Sequence, residues 1–246
     1  MKEGGYNTRP SFNKNASLIS VITVCYNAAD TLSQCIQSVV DQQFKDIEYI
    51  VIDGGSTDGT LEILEVQDDR IAYWRSEPDR GIYHAMNKAL KYANGKWLLF
   101  LGADDLLLPG ISQMAQVLKD KHTIYYSKVL YEESPVGRKI DGYFLAKNNI
   151  CHQSILYPKT VFEKYRFEEK YRLYADHYLN MQCWADPQFK WQYCDILTAK
   201  FALDGASSAK DDPAFEADKA KWIKKYFGQL AYWRYRFKQL KSNIKG

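Results

Sequence analysis

The sequence lacks the long hydrophobic segments that secretion or insertion into a membrane requires. Nowhere do eighteen apolar residues follow one another, and the polar N-terminal extension, residues 1–17, has no apolar core of a signal peptide. Both absences predict a cytoplasmic protein that does not span a membrane. The five cysteines are odd in number and include no Cys-x-x-Cys pair, so neither a disulfide framework nor a zinc knuckle is indicated. We expect reduced, mostly buried thiols.

The common signatures of nucleotide-binding enzymes are missing as well. Neither GxxxxGK[ST] nor GxGxxG occurs, so the sequence supports neither a P-loop NTPase nor a dinucleotide-binding Rossmann enzyme. What residues 18–105 do contain is a repeated order of apolar strand, polar turn and amphipathic helix. This alternation predicts an α/β fold whose mostly parallel central sheet is flanked by helices, with functional groups gathered beyond the carboxyl ends of the strands.

Carboxylates follow three of the strand candidates. Asp53 and Asp79 come after the second and third strands, and the apolar run 97–101 leads to the neighbouring pair Asp104 and Asp105. Adjacent carboxylates repel each other, and a divalent cation would relieve that repulsion, although an acidic pair after a strand is also typical of a solvated turn. Because carboxylates repel phosphate unless a metal intervenes, the set fits a nucleoside with a metal-bound diphosphate.

The pattern becomes irregular beyond Pro109. Helices are predicted near 111–118 and 175–184, and β-like segments at 123–131, 139–146, 151–157 and 189–201. No repeat or linker divides this region. The sequence therefore predicts one domain over 18–210, followed by a basic, aromatic helical tail over 211–246.

Three segments carry a resemblance to a known family. The order and spacing of residues 20–28, residues 53–60 and the Asp104-Asp105 pair with Pro109 resemble the family 2 inverting glycosyltransferases, which have a GT-A fold. Residues 76–88 further resemble a bacterial subgroup that builds exopolysaccharide, capsule and O-antigen units. The resemblance implies transfer of a sugar from a nucleotide-diphosphate sugar, with a UDP-sugar as the expected donor, to a hydroxyl of a saccharide or a lipid-linked oligosaccharide.

Other functions remain open beside this one. The main alternative is a catalytically silent module that binds a nucleotide sugar, and a nucleotidyltransferase that uses Asp104 for metal is a more distant one. The QxxRW motif and the transmembrane helices of processive polysaccharide synthases are absent, so a single addition per encounter is expected.

The resemblance also implies where the donor and its metal bind. Gly102 occupies the first position of the family's DxD motif, so Asp104 is the implied ligand of Mg²⁺ or Mn²⁺, with Asp105 as an assisting ligand. Without the resemblance, a turn-forming role for Asp53 is as well supported as a nucleotide-binding role, and Asp79 is open to interpretation as a solvated loop residue. The implied nucleotide-binding residues are Thr23, Val24, Tyr26, Asp53, Asp79, Gly81 and Ala103.

An inverting transfer needs a base that deprotonates the acceptor hydroxyl. The segment 174–178 resembles the family's acidic motif at the start of a helix, which makes Asp176 the implied catalytic base; a helix-capping carboxylate is the alternative. His152 and Gln153 resemble a His-Gln pair that lines the donor and acceptor pocket, whereas His177 is expected at the surface. Residues 205–208 resemble a loop that closes over the donor.

The tail has an unusual charge. From Lys219 onward it carries nine Lys or Arg and no Asp or Glu. Apolar residues recur in it at intervals of three or four, which is typical of a helix that packs on its own domain or on a partner. The other interpretation is attachment to an anionic membrane surface, which would place the protein on the inner face of the cytoplasmic membrane. No nucleic-acid-binding signature accompanies the tail, so nucleic acid is not expected as a partner. The apolar positions are Trp222, Tyr226, Leu230, Trp233, Phe237 and Leu240.

Overall fold

The fold, taken from a computed structural model that describes residues 1–9, 17–202 and 211–245, is built on one ten-stranded sheet. The loop at 205–208 lies outside the described residues. Hydrogen-bonded neighbours follow the order β1-β4-β3-β2-β5-β9-β7-β10-β6, and β8 pairs with β7. The strands are β1 (Lys2–Gly4), β2 (Ile19–Cys25), β3 (Ile47–Asp53), β4 (Tyr73–Ser76), β5 (Trp97–Gly102), β6 (Leu106–Leu107), β7 (Thr123–Tyr131), β8 (Ser134–Val136), β9 (Ile155–Pro158) and β10 (Lys190–Phe201).

Helices cover the sheet and divide its core into two layers. Successive residues of the buried strand β5 point to opposite faces, so Phe100 packs in one layer while Leu99 and Leu101 pack in the other. This explains the uninterrupted apolar run, because both faces of the strand are covered. The helices are α1 (Leu32–Val40), α2 (Thr60–Val66), α3 (Ile82–Ala89), α4 (Ile111–Val117), α5 (Gly142–Lys147), α6 (Lys159–Lys164), α7 (Ala175–Ala185) and α8 (Pro213–Lys245).

The strands β4, β3, β2 and β5 run parallel, and their registers bring their carboxyl ends together. Cys25 lies opposite Asp53, Val24 opposite Gly102, and Asp53 opposite Ser76. The carboxylates that follow these strands therefore meet at one edge of the sheet. The predicted α/β architecture is confirmed, with antiparallel pairs confined to the outer strands and to β9, which pairs with β5 and β7.

The structure differs from the sequence-based prediction in three segments. Residues 2–4 of the N-terminal extension add an antiparallel strand beside β4 at the edge of the sheet. The predicted β-like segment 139–146 is wrong, because Asp141 caps a helix there by accepting a hydrogen bond from the Phe144 N–H at 2.7 Å. Within 151–157, a short 3₁₀ turn over His152–Ser154 precedes the strand β9.

The helix α8 contains a break at Gly228, whose φ of 83° is open to glycine at little cost. Before the break, the side chains of Phe215, Trp222 and Ile223 are buried in the core. After it, four large apolar side chains are exposed. Among the described residues, no helix combines the length and the hydrophobicity that crossing a bilayer requires.

Candidate active site

The loops that follow β2 and β3 are tied to each other by hydrogen bonds. The N–H of Asn27 donates to Ser56 Oγ at 2.7 Å, and the N–H of Thr57 donates to Asn27 Oδ1 at 3.0 Å. Farther along, the N–H of Ala28 donates to Thr60 Oγ1 at 2.9 Å. Asn27 adopts a φ of 50°, a conformation that asparagine tolerates better than most residues. The two loops thus form one fixed wall at the edge of the sheet.

Asp53 lies beneath this wall and is fully buried. Its Oδ2 accepts hydrogen bonds from Ser76 Oγ at 2.6 Å and from the N–H groups of Ser56 and Gly55 at 3.1 and 3.2 Å, while Oδ1 accepts from Ser56 Oγ. These contacts match the alternative interpretation, in which Asp53 is a turn-forming residue. They hold the glycine turn after β3 in place, and in this arrangement the carboxylate is saturated by protein donors.

Tyr26, in the loop after β2, and Asp79, in the loop after β4, lie on either side of the buried Gly54. The ring of Tyr26 is 65% exposed, which is unusual for a tyrosine at the end of a buried strand. A Cβ on Gly54 would lie 2.6 Å from Asp79 Oδ2 and 3.3 Å from Tyr26 Cδ2, so a larger residue here would displace the Asp79 carboxyl from its present position. Asp79 Oδ1 accepts a hydrogen bond from the N–H of Gly81 at 2.7 Å.

The remaining predicted nucleotide-binding residues lie around this wall at different depths. Gly81 is exposed and has a φ of 122°, Val24 is half-buried, and Ala103 is nearly buried. Thr23 is fully buried, and its hydroxyl accepts a hydrogen bond from the Tyr49 hydroxyl at 3.0 Å. The side chain of Thr23 therefore does not line this wall.

The two neighbouring carboxylates after β5 have different environments. Asp105 is 2% exposed and accepts hydrogen bonds from Gln153 Nε2 at 2.7 Å, the Ala202 N–H at 2.9 Å and the Gly102 N–H at 3.0 Å. Asp104 is only half-buried, and burial, followed by the charge of Asp105, raises its pKa. Asp105 thus holds the loop together, whereas Asp104 is the member of the pair that keeps exposed surface.

A side chain at Gly102, the first position of the expected DxD motif, would have to displace the carboxyl groups of Asp105 and Asp104. A Cβ there would lie 2.5 Å from Asp105 Oδ2 and 2.7 Å from Asp104 Oδ1. Among the described residues, no group of three or more His, Cys, Asp or Glu could hold a metal ion. The donor set fits a cation that takes one carboxylate from the protein and its other oxygens from phosphate and water, as Mg²⁺ commonly does.

The 3₁₀ turn at 152–154 connects this acidic loop to α7. Gln153 is 3% exposed, and its Nε2 donates a hydrogen bond to Asp105 Oδ2. The amide of Gln153 thus helps to hold the acidic loop in place. His152 is adjacent, its side chain is 17% exposed, and its Nδ1 lies 3.4 Å from Asp176 Oδ2. The turn thus places an imidazole between the acidic pair after β5 and Asp176.

Asp176 lies in the first turn of α7 and is 3% exposed. Its Oδ1 accepts hydrogen bonds from the Tyr83 hydroxyl at 2.9 Å and from the His177 N–H at 2.8 Å, and its Oδ2 accepts from Asn149 Nδ2 at 2.7 Å. Burial alone would raise its pKa, but His152, Asn149 and Tyr83 more than offset this, and the pKa lies below its usual range. Asp176 is therefore a buried, charged carboxylate that faces an imidazole.

His177 is not at the surface, and that expectation is wrong. It is 1% exposed, its Nε2 lies 2.6 Å from the Leu145 carbonyl oxygen, and its ring lies 5.2 Å from that of Phe215. Burial lowers its pKa to about 4. The sequence contains no sign of Tyr83 and Asn149, two of the side-chain partners of Asp176; they lie 93 and 27 residues from it in the chain, and no local pattern marks them.

Solved structures of similar fold include TarS of S. aureus, residues 1–349, in complex with UDP-GlcNAc. The TM-score is 0.66 at 18% identity, and the match covers 85% of this chain and 67% of that one. Against a longer TarS chain it spans 42% of that chain, with a TM-score of 0.63. The mannosyltransferase PcManGT of Pyrobaculum calidifontis, in complex with GDP-Man and Mn²⁺, matches with a TM-score of 0.63 at 16% identity, over 87% of this chain and 64% of that one.

Curated relatives are more similar in sequence. A PGL/p-HBAD biosynthesis glycosyltransferase of Mycobacterium tuberculosis is 32% identical over 205 residues, which is 78% of this chain and 80% of that protein. The UDP-Glc:alpha-D-GlcNAc-diphosphoundecaprenol beta-1,3-glucosyltransferase WfgD of Escherichia coli is 29% identical over 216 residues, 83% and 84% of the two chains. The model of the family "Glycosyl transferase family 2" matches residues 20–179. On its fold and its sequence, this chain belongs to glycosyl transferase family 2, with a GT-A fold.

Proposed function

We propose that this enzyme transfers a single sugar from a UDP-sugar to a hydroxyl of a lipid-linked saccharide, with inversion, at the inner face of the cytoplasmic membrane during synthesis of bacterial surface polysaccharide. The observation that carries the proposal is the turn at 152–154. Through Gln153 it holds the acidic loop after β5, and through His152 it meets Asp176. One structural element thus fixes the distance between the donor's diphosphate and the group that deprotonates the acceptor. An in-line displacement requires such a fixed distance.

The nucleotide binds on the wall formed by the loops after β2 and β3. Tyr26 offers an exposed aromatic face for the uracil, and base stacking on an aromatic ring contributes about 1–3 kcal/mol. Asp79, next to Tyr26 across Gly54, accepts hydrogen bonds from the base or the ribose. Asp53 contributes by keeping the glycine turn in the shape that this contact needs.

Asp104 would hold Mg²⁺ or Mn²⁺ together with the oxygens of the donor's diphosphate. Such a cation, when bound, neutralises the negative charge that develops on the departing nucleoside diphosphate. Asp105 does not compensate for Gly102 as a ligand in this proposal, because its two oxygens already accept hydrogen bonds from three protein donors. Its role is to fix the loop that presents Asp104.

The base is a pair, His152 and Asp176. His152 is the more exposed member, so its imidazole takes the proton of the acceptor hydroxyl, and Asp176 orients the ring and stabilises the imidazolium. As the proton leaves, the acceptor oxygen forms a bond to the anomeric carbon, and the bond from that carbon to the diphosphate oxygen breaks with its electron pair. The imidazolium then loses its proton to solvent. The buried position of Asp176 suits this supporting role.

The experiment offers the protein a panel of nucleotide sugars with Mn²⁺ and follows release of the nucleoside diphosphate. Because WfgD carries UDP-Glc and alpha-D-GlcNAc-diphosphoundecaprenol in its name, UDP-Glc and a GlcNAc-diphospho-lipid analogue are tested first. We expect UDP release that depends on the acceptor, and a product whose anomeric configuration by NMR is opposite to that of the donor. UDP binding without turnover would favour the silent module, and release of pyrophosphate would favour a nucleotidyltransferase.

Variants then separate the base from the donor site. Asp176→Asn and His152→Gln should keep the KM for the donor and lower kcat by about 100-fold or more, the usual contribution of general base catalysis. His122→Gln is the matched control, since this histidine lies in the turn before β7 and contacts Gln188. A normal kcat in His152→Gln, with Asp176→Asn inactive, would remove the imidazole from the proposed pair.

A further inference from the structure

The helical segment that follows Gly228 exposes a continuous apolar row. Every Leu, Trp and Phe that is strongly exposed among the described residues lies on this segment. The spacing of three, four and three residues keeps the row on one side of the helix. We call this row, with the cations that flank it, the terminal face. Its apolar members are Leu230 (75% exposed), Trp233 (54%), Phe237 (60%) and Leu240 (54%).

The opposite side of the same segment is fixed to the domain. Tyr235 is 8% exposed, and Ala231 and Tyr232 pack against the same core layer. The guanidinium of Arg234 lies 4.1 Å above the ring centre of Tyr143 in α5. Because one side of the helix is already occupied, the apolar row is turned away from the domain and is not covered by the described part of the chain.

Cations border the apolar row on both sides. At 100° per residue, Arg236 falls on one flank of the row, and Lys238 and Lys241 fall on the other. No Asp or Glu follows Asp218. The terminal face therefore combines an apolar centre, two aromatic rings and a positive rim without a compensating negative charge.

We propose that the terminal face binds the surface of an anionic lipid bilayer. The apolar row enters the boundary between headgroups and acyl chains, the rings lie at headgroup level, and the cations pair with anionic headgroups. A second copy of this chain fits poorly, because two such faces packed together would bring the positive rims against each other with no acidic residue between them. A bilayer supplies the apolar medium and the negative charge at once.

The attachment of α8 places this surface on the acceptor side of the site. The helix packs against α5 and α7. Asp176 lies in the first turn of α7, and Asn149, which donates a hydrogen bond to it, follows α5 by two residues. Only this positional step rests on the proposed function: a lipid-linked acceptor would reach the His152–Asp176 pair from the bilayer next to α5.

The test is cosedimentation of the full chain with vesicles of phosphatidylcholine alone or with a third of phosphatidylglycerol. Trp233→Gln/Phe237→Gln removes the apolar centre, and both side chains are exposed, so the fold is kept. The matched control is Val66→Gln, which removes an 81% exposed apolar side chain on α2.

Arg236→Gln/Lys241→Gln removes two rim cations, with Lys45→Gln/Lys121→Gln as its control. Transfer to an acceptor analogue without a lipid chain is measured for every variant.

We expect binding to the anionic vesicles that falls with added salt, a loss of at least tenfold in Trp233→Gln/Phe237→Gln, and about fivefold for each rim cation removed. The controls should bind like the parent chain. Equal loss in Val66→Gln, or unchanged binding in both terminal-face variants, would overturn the proposal. So would a dimer in lipid-free buffer that Trp233→Gln/Phe237→Gln dissociates. Transfer to the lipid-free acceptor tests the proposed function separately, because its absence would leave the vesicle result unaffected.

Discussion

Exchanging each carboxylate after β5 for its amide should separate two roles that the sequence does not distinguish. Asp105 accepts three hydrogen bonds in a buried setting, whereas Asp104 is half-buried and its pKa is raised, with burial and the charge of Asp105 as causes. We therefore expect Asp105→Asn to act on stability and Asp104→Asn to act on the donor and metal. The two substitutions are matched, because they make the same chemical change at adjacent positions.

The magnitude for Asp105→Asn follows from its donors. Oδ2 accepts from Gln153 and Gly102, and Oδ1 accepts from Ala202. The single side-chain oxygen of asparagine can replace only one of the two carboxylate oxygens. At least one hydrogen bond to a charged group is therefore lost, and the NH₂ group of asparagine faces another donor. At about 1.5–3 kcal/mol for such a bond, and a similar cost for the unsatisfied donor, we expect a loss of about 3 kcal/mol in the free energy of unfolding. For a chain of this size, this lowers Tm by about 6–12 °C.

Asp104→Asn should leave Tm within about 2–4 °C of the parent, because a substitution away from a buried network changes stability by less than about 1 kcal/mol. Its effect should appear in calorimetric titration with UDP, as loss of the affinity that Mn²⁺ adds. In EDTA, the parent and Asp104→Asn should bind UDP alike. The reasoning is refuted if the pattern is reversed, with Asp105→Asn as stable as the parent but insensitive to Mn²⁺.

Three further predictions concern the candidate site and the core. Tyr26→Ala should weaken UDP binding about 5- to 150-fold in calorimetry, with Tyr26→Phe near normal, because stacking contributes about 1–3 kcal/mol. Gly102→Asp, which restores the DxD pattern, should lower Tm without adding metal affinity, because its Cβ would lie 2.5 Å from Asp105 Oδ2. Acid should destabilise the fold: burial lowers the pKa of His177 to about 4, so as the pH falls from about 6.5 to 4 the unfolded chain takes up a proton that the folded chain does not, at a cost of up to about 3 kcal/mol. Urea unfolding at pH 7 and pH 5 should show this loss, and His177→Gln should reduce it.

Much of the sheet could be predicted because its signals are local. Apolar runs that end in polar turns indicated the strands β2, β3 and β5, and the predicted parallel order placed the carboxylates that follow them at one edge of the sheet. The segment 139–146 failed for the opposite reason. Its apolar residues fit a strand as well as one turn and a half of helix, and the helix is selected by the Asp141 cap and by packing against α7 and α8, neither of which a short hydrophobic pattern contains.

The positions of the residues in the candidate site could be predicted from the sequence, but the role of each residue could be predicted less well. Asp53, Asp104, Asp105 and Asp176 all lie where strand ends and a helix start converge. Three of them, however, are saturated or nearly so by protein donors, which depends on partners such as Ser76, Gln153 and Tyr83 that are distant in the chain. A sequence shows that a carboxylate follows a strand. Whether that carboxylate faces a ligand or holds its own loop depends on which N–H and O–H groups the fold brings to it.

The tail shows why periodicity alone could not decide between packing and membrane attachment. The apolar positions from Trp222 to Leu240 keep a helical spacing through Gly228, so the sequence presents them as one stripe that either packs or remains free. The non-helical backbone at Gly228 changes the direction of the second half relative to the first. As a result, Trp222 is 8% exposed while Leu230, eight residues later, is 75% exposed. Packing on the domain therefore holds for the first half, which anchors the helix to α7, while the second half presents an apolar face outward, and the membrane contact proposed for that face remains a prediction.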